Sequence, residues 1–332
     1  LCYSRGQEPR GPERGACSFQ ELPKLKSMKV LDRIANEHFK GVLTTVLVFL
    51  LIAAGSGLSA QTQAEVARST HVYKDTLKLD FYSLPEAAAD SRPLLVLMHG
   101  GGFSSGRRDG AGETEFCNAM ALKGYAVASI SYRLTRKGES FGCDCPAETK
   151  ISTFVKAAED LSDAVGYLIS RQELPAFDRG RILLAGSSAG AEAVLNAAFM
   201  TGHHDFKSVK RHNYSAVISF AGAMVNNTYI NDDNALPVLF FHGKKDRLVP
   251  YGTEPHHYCP VGAEGYLMLD GPETMASRLA ALGKSYLLAF DPEGGHEWAG
   301  KAYGETDLID DFIERVVLQG GFQQTLLQLD MN

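Results

Sequence analysis

The sequence predicts a single α/β domain built on a doubly wound, mostly parallel sheet. Short apolar runs, too brief for helices, alternate with helix-like or loop-like segments over most of the chain. Such continuous runs are typical of parallel strands that are covered on both faces. No stretch rich in proline or serine divides the segments into two domains. A hydrophobic content of 45% and a charged content of 22% fit a globular protein with a full core.

The domain opens with an expected antiparallel hairpin and a buried central strand. Residues 71–82 alternate polar and apolar side chains, as half-buried strands do. Residues 94–98 are continuously apolar and lead into a run of three glycines. We expect a helix over 113–122 and a second buried strand over 125–132.

A long amphipathic helix is predicted over residues 150–169. Its apolar side chains recur at helical spacing, so one face packs on the sheet. The charged positions are expected mostly on the solvated face, and they are Lys156, Glu159, Asp160 and Asp163.

The most informative stretch is a strand, a sharp turn and a helix over residues 182–200. The apolar run from Ile182 enters Gly186-Ser187-Ser188-Ala189-Gly190, and small residues follow from 191 to 200. A serine hydroxyl becomes nucleophilic where a base reaches it and backbone N–H groups surround it. Because the glycines lie two residues either side of it, Ser188 is predicted at the tip of the turn. A serine-rich turn that caps the helix is the alternative.

Three further strands are predicted over residues 216–220, 237–241 and 285–290, before a last amphipathic helix over 306–318. In open sheets of this kind, ligands bind at the carboxyl ends of the strands. Side chains that follow strand ends are therefore the candidates for a site.

An acid and a base follow two of these strands. Asp246 comes just after the strand 237–241, in a turn between a glycine and a proline. His296 directly follows the strand 285–290, and a histidine has a pKa suited to taking a proton near neutral pH. His256 and His257 are expected at the mouth of the site or on the surface.

The glycine run supplies candidates for an oxyanion hole. The N–H groups of Gly101, Gly102 and Ala189 could approach a tetrahedral intermediate without a side chain in the way. No Gly-Lys-Ser/Thr follows for a magnesium nucleotide, and no Gly-x-Gly-x-x-Gly opens a helix for a dinucleotide. The sequence therefore predicts no cofactor.

These spaced motifs resemble the α/β-hydrolase superfamily, in its esterase/lipase branch with a His-Gly-Gly-Gly oxyanion loop. The elements that carry the resemblance are His99 to Gly102, Tyr132-Arg133-Leu134, Gly186 to Gly190, Asp246 and His296. The chain also resembles exported bacterial carboxylesterases and carbohydrate esterases. Hormone-sensitive-lipase-like members usually have Asp where this chain has Ser187, and many relatives have Gly at Ala191, so the acyl and alcohol specificity stay open.

The resemblance implies a serine carboxylic-ester hydrolase that works through a Ser188, His296 and Asp246 triad and an acyl-enzyme. Residues 251–271 contain no long apolar lid helix, which favours short acyl groups. Acetyl and feruloyl esters, free or linked to polysaccharide, are the substrates that the resemblance suggests.

Two other classes of function stay open. A serine peptidase on the same fold would need a charged subsite for a peptide terminus, and Glu113 or Glu254 could supply it. A binding module on an inactive hydrolase fold is the third hypothesis.

The amino-terminal segment predicts export. Residues 1–27 are rich in Arg, Gly, Pro and Glu, and we expect an untranslated or disordered leader there. Residues 28–60 begin at a methionine and combine basic residues, an apolar run and small residues near the end, as a signal peptide does. Residues 61–332 would then form the mature domain, secreted or periplasmic. An uncleaved anchor over 41–60 is the alternative.

Charge and cysteines limit the partners. Without residues 1–60 the chain has a formal charge of about −9, which disfavours nucleic acid. No stable membrane partner is expected after signal cleavage. Four cysteines remain, with three possible disulfide pairings: Cys117, Cys143, Cys145 and Cys259. A metal site that joins the last three of them to His256 or His257 is an alternative without the usual ligand spacing.

Overall fold

The computed structural model describes residues 65–85 and 92–329. In these ranges, nine strands form one sheet and two short strands form a separate antiparallel ribbon. The predicted doubly wound, mostly parallel sheet is confirmed. The segment interpreted as leader and signal, 1–60, lies outside the described residues. No helix within the described ranges is both long and apolar enough to cross a membrane.

The strands of the large sheet are β1 (Ala67–Lys74), β2 (Leu77–Ser83), β3 (Pro93–Met98), β4 (Ala126–Ile130), β5 (Asp178–Ser187), β6 (Ala216–Phe220), β7 (Val238–Gly243), β10 (Tyr286–Asp291) and β11 (Gln324–Gln328). The ribbon consists of β8 (Thr253–Pro255) and β9 (Met268–Asp270). In space the large sheet runs β1-β2-β4-β3-β5-β6-β7-β10-β11. The pairs β1 with β2 and β2 with β4 are antiparallel, and every other pair is parallel.

The helices are α1 (Ala111–Leu122), α2 (Ala147–Ser170), α3 (Ala189–Phe199), α4 (Pro272–Ala281), α5 (Trp298–Lys301) and α6 (Thr306–Phe312). A π-helical turn, Ile313–Leu318, continues α6. Single 3-10 turns lie at His204–Phe206, Asn227–Tyr229, His256–Tyr258 and Ala302–Gly304.

The two faces of the sheet form two separate apolar cores. On one face, α2 and α3 bury side chains such as Phe154 and Val194 against the strands. On the other face, α1 and α6 bury side chains such as Phe116 and Phe312. Full burial of one such side chain contributes about 1.5–3 kcal/mol. Covering both faces leaves the strand ends as the place where loops can form a cavity.

One charged side chain on α2 contradicts the sequence-based expectation. Asp160 is fully buried instead of solvated. Its carboxylate accepts hydrogen bonds from Arg133 Nε at 2.8 Å and from Lys74 Nζ at 2.9 Å. The expectation was wrong because these cations come from β1 and from the loop after β4, which helical periodicity does not reveal.

Candidate active site

The turn after β5 has the backbone of a strained nucleophile elbow. Ser188 has φ 50° and ψ −121°, between the end of β5 and the first residue of α3. A Cβ on Gly186 would lie 2.3 Å from the carbonyl oxygen of Gly190, and one on Gly190 would lie 2.3 Å from that of Met98. Glycine is therefore required at both positions. Strain at one such residue costs about 1–3 kcal/mol, and the packing of β5, α3 and β3 holds the turn in place.

Three of the predicted site residues form one hydrogen-bonded chain. Ser188 Oγ lies 2.7 Å from His296 Nε2, and His296 Nδ1 lies 2.6 Å from Asp246 Oδ2. The side chains follow β5, β10 and β7, which are parallel strands whose carboxyl ends meet at one edge of the sheet. The structure thus brings together residues that are 50 and 108 positions apart in sequence.

Asp246 is held as a carboxylate in a buried turn. Its side chain is fully buried, and its Oδ1 accepts hydrogen bonds from the N–H groups of Leu248 at 2.8 Å and Val249 at 3.0 Å. Burial alone would raise the pKa of Asp246, but hydrogen bonds from His242 and His296 hold that pKa well below its usual range. The carboxylate therefore stays ionised beside the imidazole.

The same contact raises the pKa of His296. Burial lowers the pKa of His296, but the hydrogen bond and charge of Asp246 outweigh it, and the pKa is raised overall. An imidazole with a raised pKa is a stronger proton acceptor while it is neutral. With Nδ1–H directed to Asp246, Nε2 is free to accept the proton of Ser188.

Ser188 lines a cavity of about 490 Å³. The predicted oxyanion donors Gly101, Gly102 and Ala189 all line this cavity, together with Ser188 and His296. Gly101 and Gly102 have φ values of +110° and +60°, so their backbone takes a conformation that favours glycine.

The stacked rings of His99 and Tyr132 support the start of the glycine loop. The His99 ring stacks on that of Tyr132, with centroids 4.4 Å apart. Tyr132 Oη donates a hydrogen bond of 2.8 Å to the His99 carbonyl oxygen. Tyr132, in the Tyr132-Arg133-Leu134 motif after β4, therefore helps to hold the glycine loop in place, a role that its position in the sequence did not indicate.

The cavity also contains residues that the sequence did not assign to it. Glu192 on α3 and His256 after β8 both line it, and their exposed fractions are only 2% and 1%. The expectation that His256 lies at the mouth or on the surface is wrong, because the ribbon of β8 and β9 turns it inward. His257 is half-buried and also lines the cavity. Glu192 lies four residues after Ser188, and that helical spacing was the signal available.

A disulfide fixes one wall of this cavity. Cys143 is bonded to Cys259, while Cys117 and Cys145 are free and buried. The bond joins the loop of Phe141, which lines the cavity, to the segment that follows His256. The structure therefore forms one disulfide, whereas each of the three pairings considered from the sequence joined all four cysteines.

The disulfide also contradicts the metal-site hypothesis, because it uses two of the three cysteines that the hypothesis needed. Elsewhere in the described residues, His203, His204 and Asp205 place three possible ligand atoms within 4.8 Å of one another. The latter two are exposed and lie in a surface 3-10 turn, away from the cavity.

The comparisons find one matching family model and several similar solved structures of esterases. Residues 79–227 match the BD-FAE family model, a region that includes the glycine loop and Ser188 and ends before Asp246 and His296. No curated protein matches the sequence. Among solved structures, Thermogutta terrifontis esterase 2 phosphorylated by paraoxon is 19% identical with a TM-score of 0.53, covering 78% of this chain and 96% of that one.

Two further solved structures agree. The propionate-bound form of the same Thermogutta terrifontis esterase is 19% identical with a TM-score of 0.54, covering 80% of this chain and 97% of that one. Esterase B from Lactobacillus rhamnosis is 15% identical with a TM-score of 0.52, covering 86% and 98%. At these identities the likeness concerns the fold. The chain therefore has the single-domain α/β-hydrolase fold. Its residues 79–227 match the BD-FAE family model, and Ser188, His296 and Asp246 form a hydrogen-bonded chain.

Proposed function

We propose that this chain is a serine carboxylic-ester hydrolase. The observation that carries the proposal is the continuous hydrogen-bonded chain of Ser188, His296 and Asp246, which opens on a cavity of about 490 Å³. A hydroxyl, a base and a buried carboxylate in this order are the groups that acyl transfer requires. The match of residues 79–227 to BD-FAE supports the same class of reaction.

The reaction runs through an acyl-enzyme. Ser188 Oγ attacks the ester carbonyl carbon while its proton passes to His296 Nε2. The tetrahedral intermediate collapses, and the imidazolium returns the proton to the leaving alcohol. Water then attacks the acyl-enzyme by the same route and frees the acid. Asp246 stabilises the imidazolium and orients its ring.

The oxyanion would be bound by backbone N–H groups. Ala189 is the first residue of α3, so its N–H is free of helical hydrogen bonding and lies at the positive end of the helix dipole. The N–H groups of Gly101 and Gly102 are the donors from the opposite loop. Each donor of this kind is worth about 3–4 kcal/mol in the transition state.

The substrates we propose are short acyl esters, acetyl or feruloyl, free or linked to polysaccharide. The segment between β7 and α4 forms only the short strands β8 and β9 and a 3-10 turn, so no long helix closes over the cavity. The related fold of Thermogutta terrifontis esterase 2 has been solved with propionate bound and with butyrate bound. The negative charge of the chain supports the absence of a nucleic-acid partner.

Export to the cell exterior or periplasm is part of the proposal. The bond between Cys143 and Cys259 supports it, because structural disulfides persist mainly in oxidising compartments.

A peptidase on this fold is the second candidate, and one observation favours it. Glu113 lines the cavity, where a carboxylate could bind a peptide amino terminus. Glu254, the other candidate for that task, is exposed on β8 and is not among the cavity residues. Hydrolysis of aminoacyl anilides without ester hydrolysis would favour this function over the first.

The proposal is tested with a panel of p-nitrophenyl esters of increasing chain length, together with acetylated xylan and a feruloyl ester. Wild type should hydrolyse the short esters, and Ser188→Ala should not. A fluorophosphonate probe should label wild type and leave Ser188→Ala unlabelled. Equal hydrolysis rates would refute the assignment. A wild-type chain that hydrolyses no ester and takes no label would instead favour a non-catalytic binding module.

A further inference from the structure

The cavity holds a second polar pair that the triad does not use. Glu192 and His256 come from different elements, α3 and the segment after β8, and both are more than nine-tenths buried. Glu192 Oε1 lies 3.3 Å from His256 Nε2, but the contact lacks the alignment of a hydrogen bond. Within the described residues, Glu192 Oε1 and His256 Nδ1 have no hydrogen-bond partner.

Buried polar atoms without a hydrogen-bond partner destabilise a fold unless a ligand supplies that partner. A buried polar atom without a partner costs about 1–3 kcal/mol, and native proteins seldom keep one without a task. Two of them on neighbouring residues that line one cavity indicate a subsite for a polar group of the ligand. The wall around them is apolar, with Phe141 and Val249 lining the same cavity.

Glu192 is within short reach of the nucleophile. Its backbone N–H donates a hydrogen bond of 2.9 Å to the carbonyl oxygen of Ser188, one helical turn earlier. Both side chains line the same cavity. A polar group bound at Glu192 would therefore belong to a part of the substrate near the ester carbonyl carbon.

The charge states of Glu192 and His256 determine which polar group of a ligand they can bind. Burial raises the pKa of Glu192 to about 8, and burial lowers the pKa of His256 to about 3. Both side chains are therefore mainly neutral at pH 7, although His296 and Asp246 lie close by. A protonated carboxyl and a neutral imidazole each offer hydrogen bonding without net charge. They match a hydroxyl, which donates and accepts, better than a carboxylate or an ammonium group.

We propose that Glu192 and His256 form a subsite that binds a hydroxyl group on the acyl chain, so that esters of short hydroxy acids are preferred over the matching alkyl esters. This inference rests on the proposed ester hydrolysis. It adds a feature of the substrate that the triad and the oxyanion donors do not determine.

The test compares p-nitrophenyl 3-hydroxybutyrate with p-nitrophenyl butyrate, which differ by one hydroxyl. Wild type should favour the hydroxy ester by about tenfold or more in kcat/KM, because sites built around a hydroxyl discriminate strongly against its absence. A wild-type ratio of one or less overturns the subsite. If wild type still hydrolyses butyrate in a Ser188-dependent manner, the proposed function stands. If wild type hydrolyses neither ester, the proposed function itself is refuted.

Variants show whether Glu192 is responsible. Glu192→Leu should lower kcat/KM for the hydroxy ester more than for butyrate and so bring the ratio near one, and Glu192→Gln should keep part of the preference. Glu254→Gln changes an exposed carboxylate on β8 and should keep the wild-type ratio. A folded Glu192→Leu enzyme with the wild-type ratio, or with both rates lost equally, contradicts the proposal. If that variant does not fold, the wild-type ratio alone decides.

Discussion

Replacement of Asp246 by Asn tests how the triad is oriented, with almost no change of shape. The amide oxygen of Asn can keep the hydrogen bonds from the N–H groups of Leu248 and Val249. The amide NH₂ then faces His296 Nδ1, where Asp246 Oδ2 now lies 2.6 Å away. To accept from that NH₂, the imidazole must move its proton to Nε2. Nε2 can then no longer take the proton of Ser188.

The expected loss is large because the base is held in the wrong tautomer. The corresponding change in a serine protease lowers kcat about 10⁴-fold. At about 1.36 kcal/mol per factor of ten, this corresponds to roughly 5.4 kcal/mol of transition-state stabilisation. The assay is kcat/KM on p-nitrophenyl acetate for wild type and Asp246→Asn at one pH above the pKa of His296.

A thermal melt of each protein shows whether the variant is folded. Asp232→Asn is the matched control, because it makes the same substitution on an exposed side chain. Its activity should equal that of wild type. A folded Asp246→Asn enzyme within about tenfold of wild type would refute the argument that the carboxylate sets the tautomer of His296.

Three further changes follow from the geometry. Gly190→Ala should destabilise the fold by at least about 1–3 kcal/mol, because the new Cβ would lie 2.3 Å from the carbonyl oxygen of Met98; chemical denaturation measures this. The kcat/KM of wild type should fall as pH drops through the pKa of His296, which lies above the ordinary value near 6.5, because the protonated ring cannot accept a proton. Replacing Cys143 and Cys259 together by Ser should cost about 4–5 kcal/mol of unfolding free energy, since the bond closes a loop of 116 residues.

Each of these has a distinct control. Gly300→Ala adds a Cβ with no atom within 4 Å apart from its chain neighbours and the backbone of its own helix, so its denaturation midpoint should stay much closer to that of wild type. A pH profile whose acid limb lies well below pH 6.5 would contradict the raised pKa of His296. Replacing the free residue Cys117 by Ser tests a thiol outside the disulfide. If the double serine variant is as stable as wild type, the loop argument fails.

The local patterns in the sequence predicted the fold class and the three residues of the hydrogen-bonded chain. Continuous apolar runs predicted parallel strands, and Ser188, Asp246 and His296 each follow such a run. Because parallel strands end at one edge of a sheet, the order of elements alone predicts that these residues lie together. Strand and helix ends differed by a few residues, and the short strands β8 and β9 were not predicted. The strand β11 was not predicted either, because its side chains are only partly buried.

The features that depend on contacts between segments far apart in sequence could be seen only in the tertiary structure. The pairing of Cys143 with Cys259, the burial of Asp160 and the inward position of His256 each rest on contacts across many residues. Hydrophobic periodicity predicts which face of a segment is buried, but it does not identify the segment that packs against that face. The three residues of the hydrogen-bonded chain could therefore be predicted from the sequence, whereas the position of Glu192 and His256 in the cavity wall depends on the folded chain.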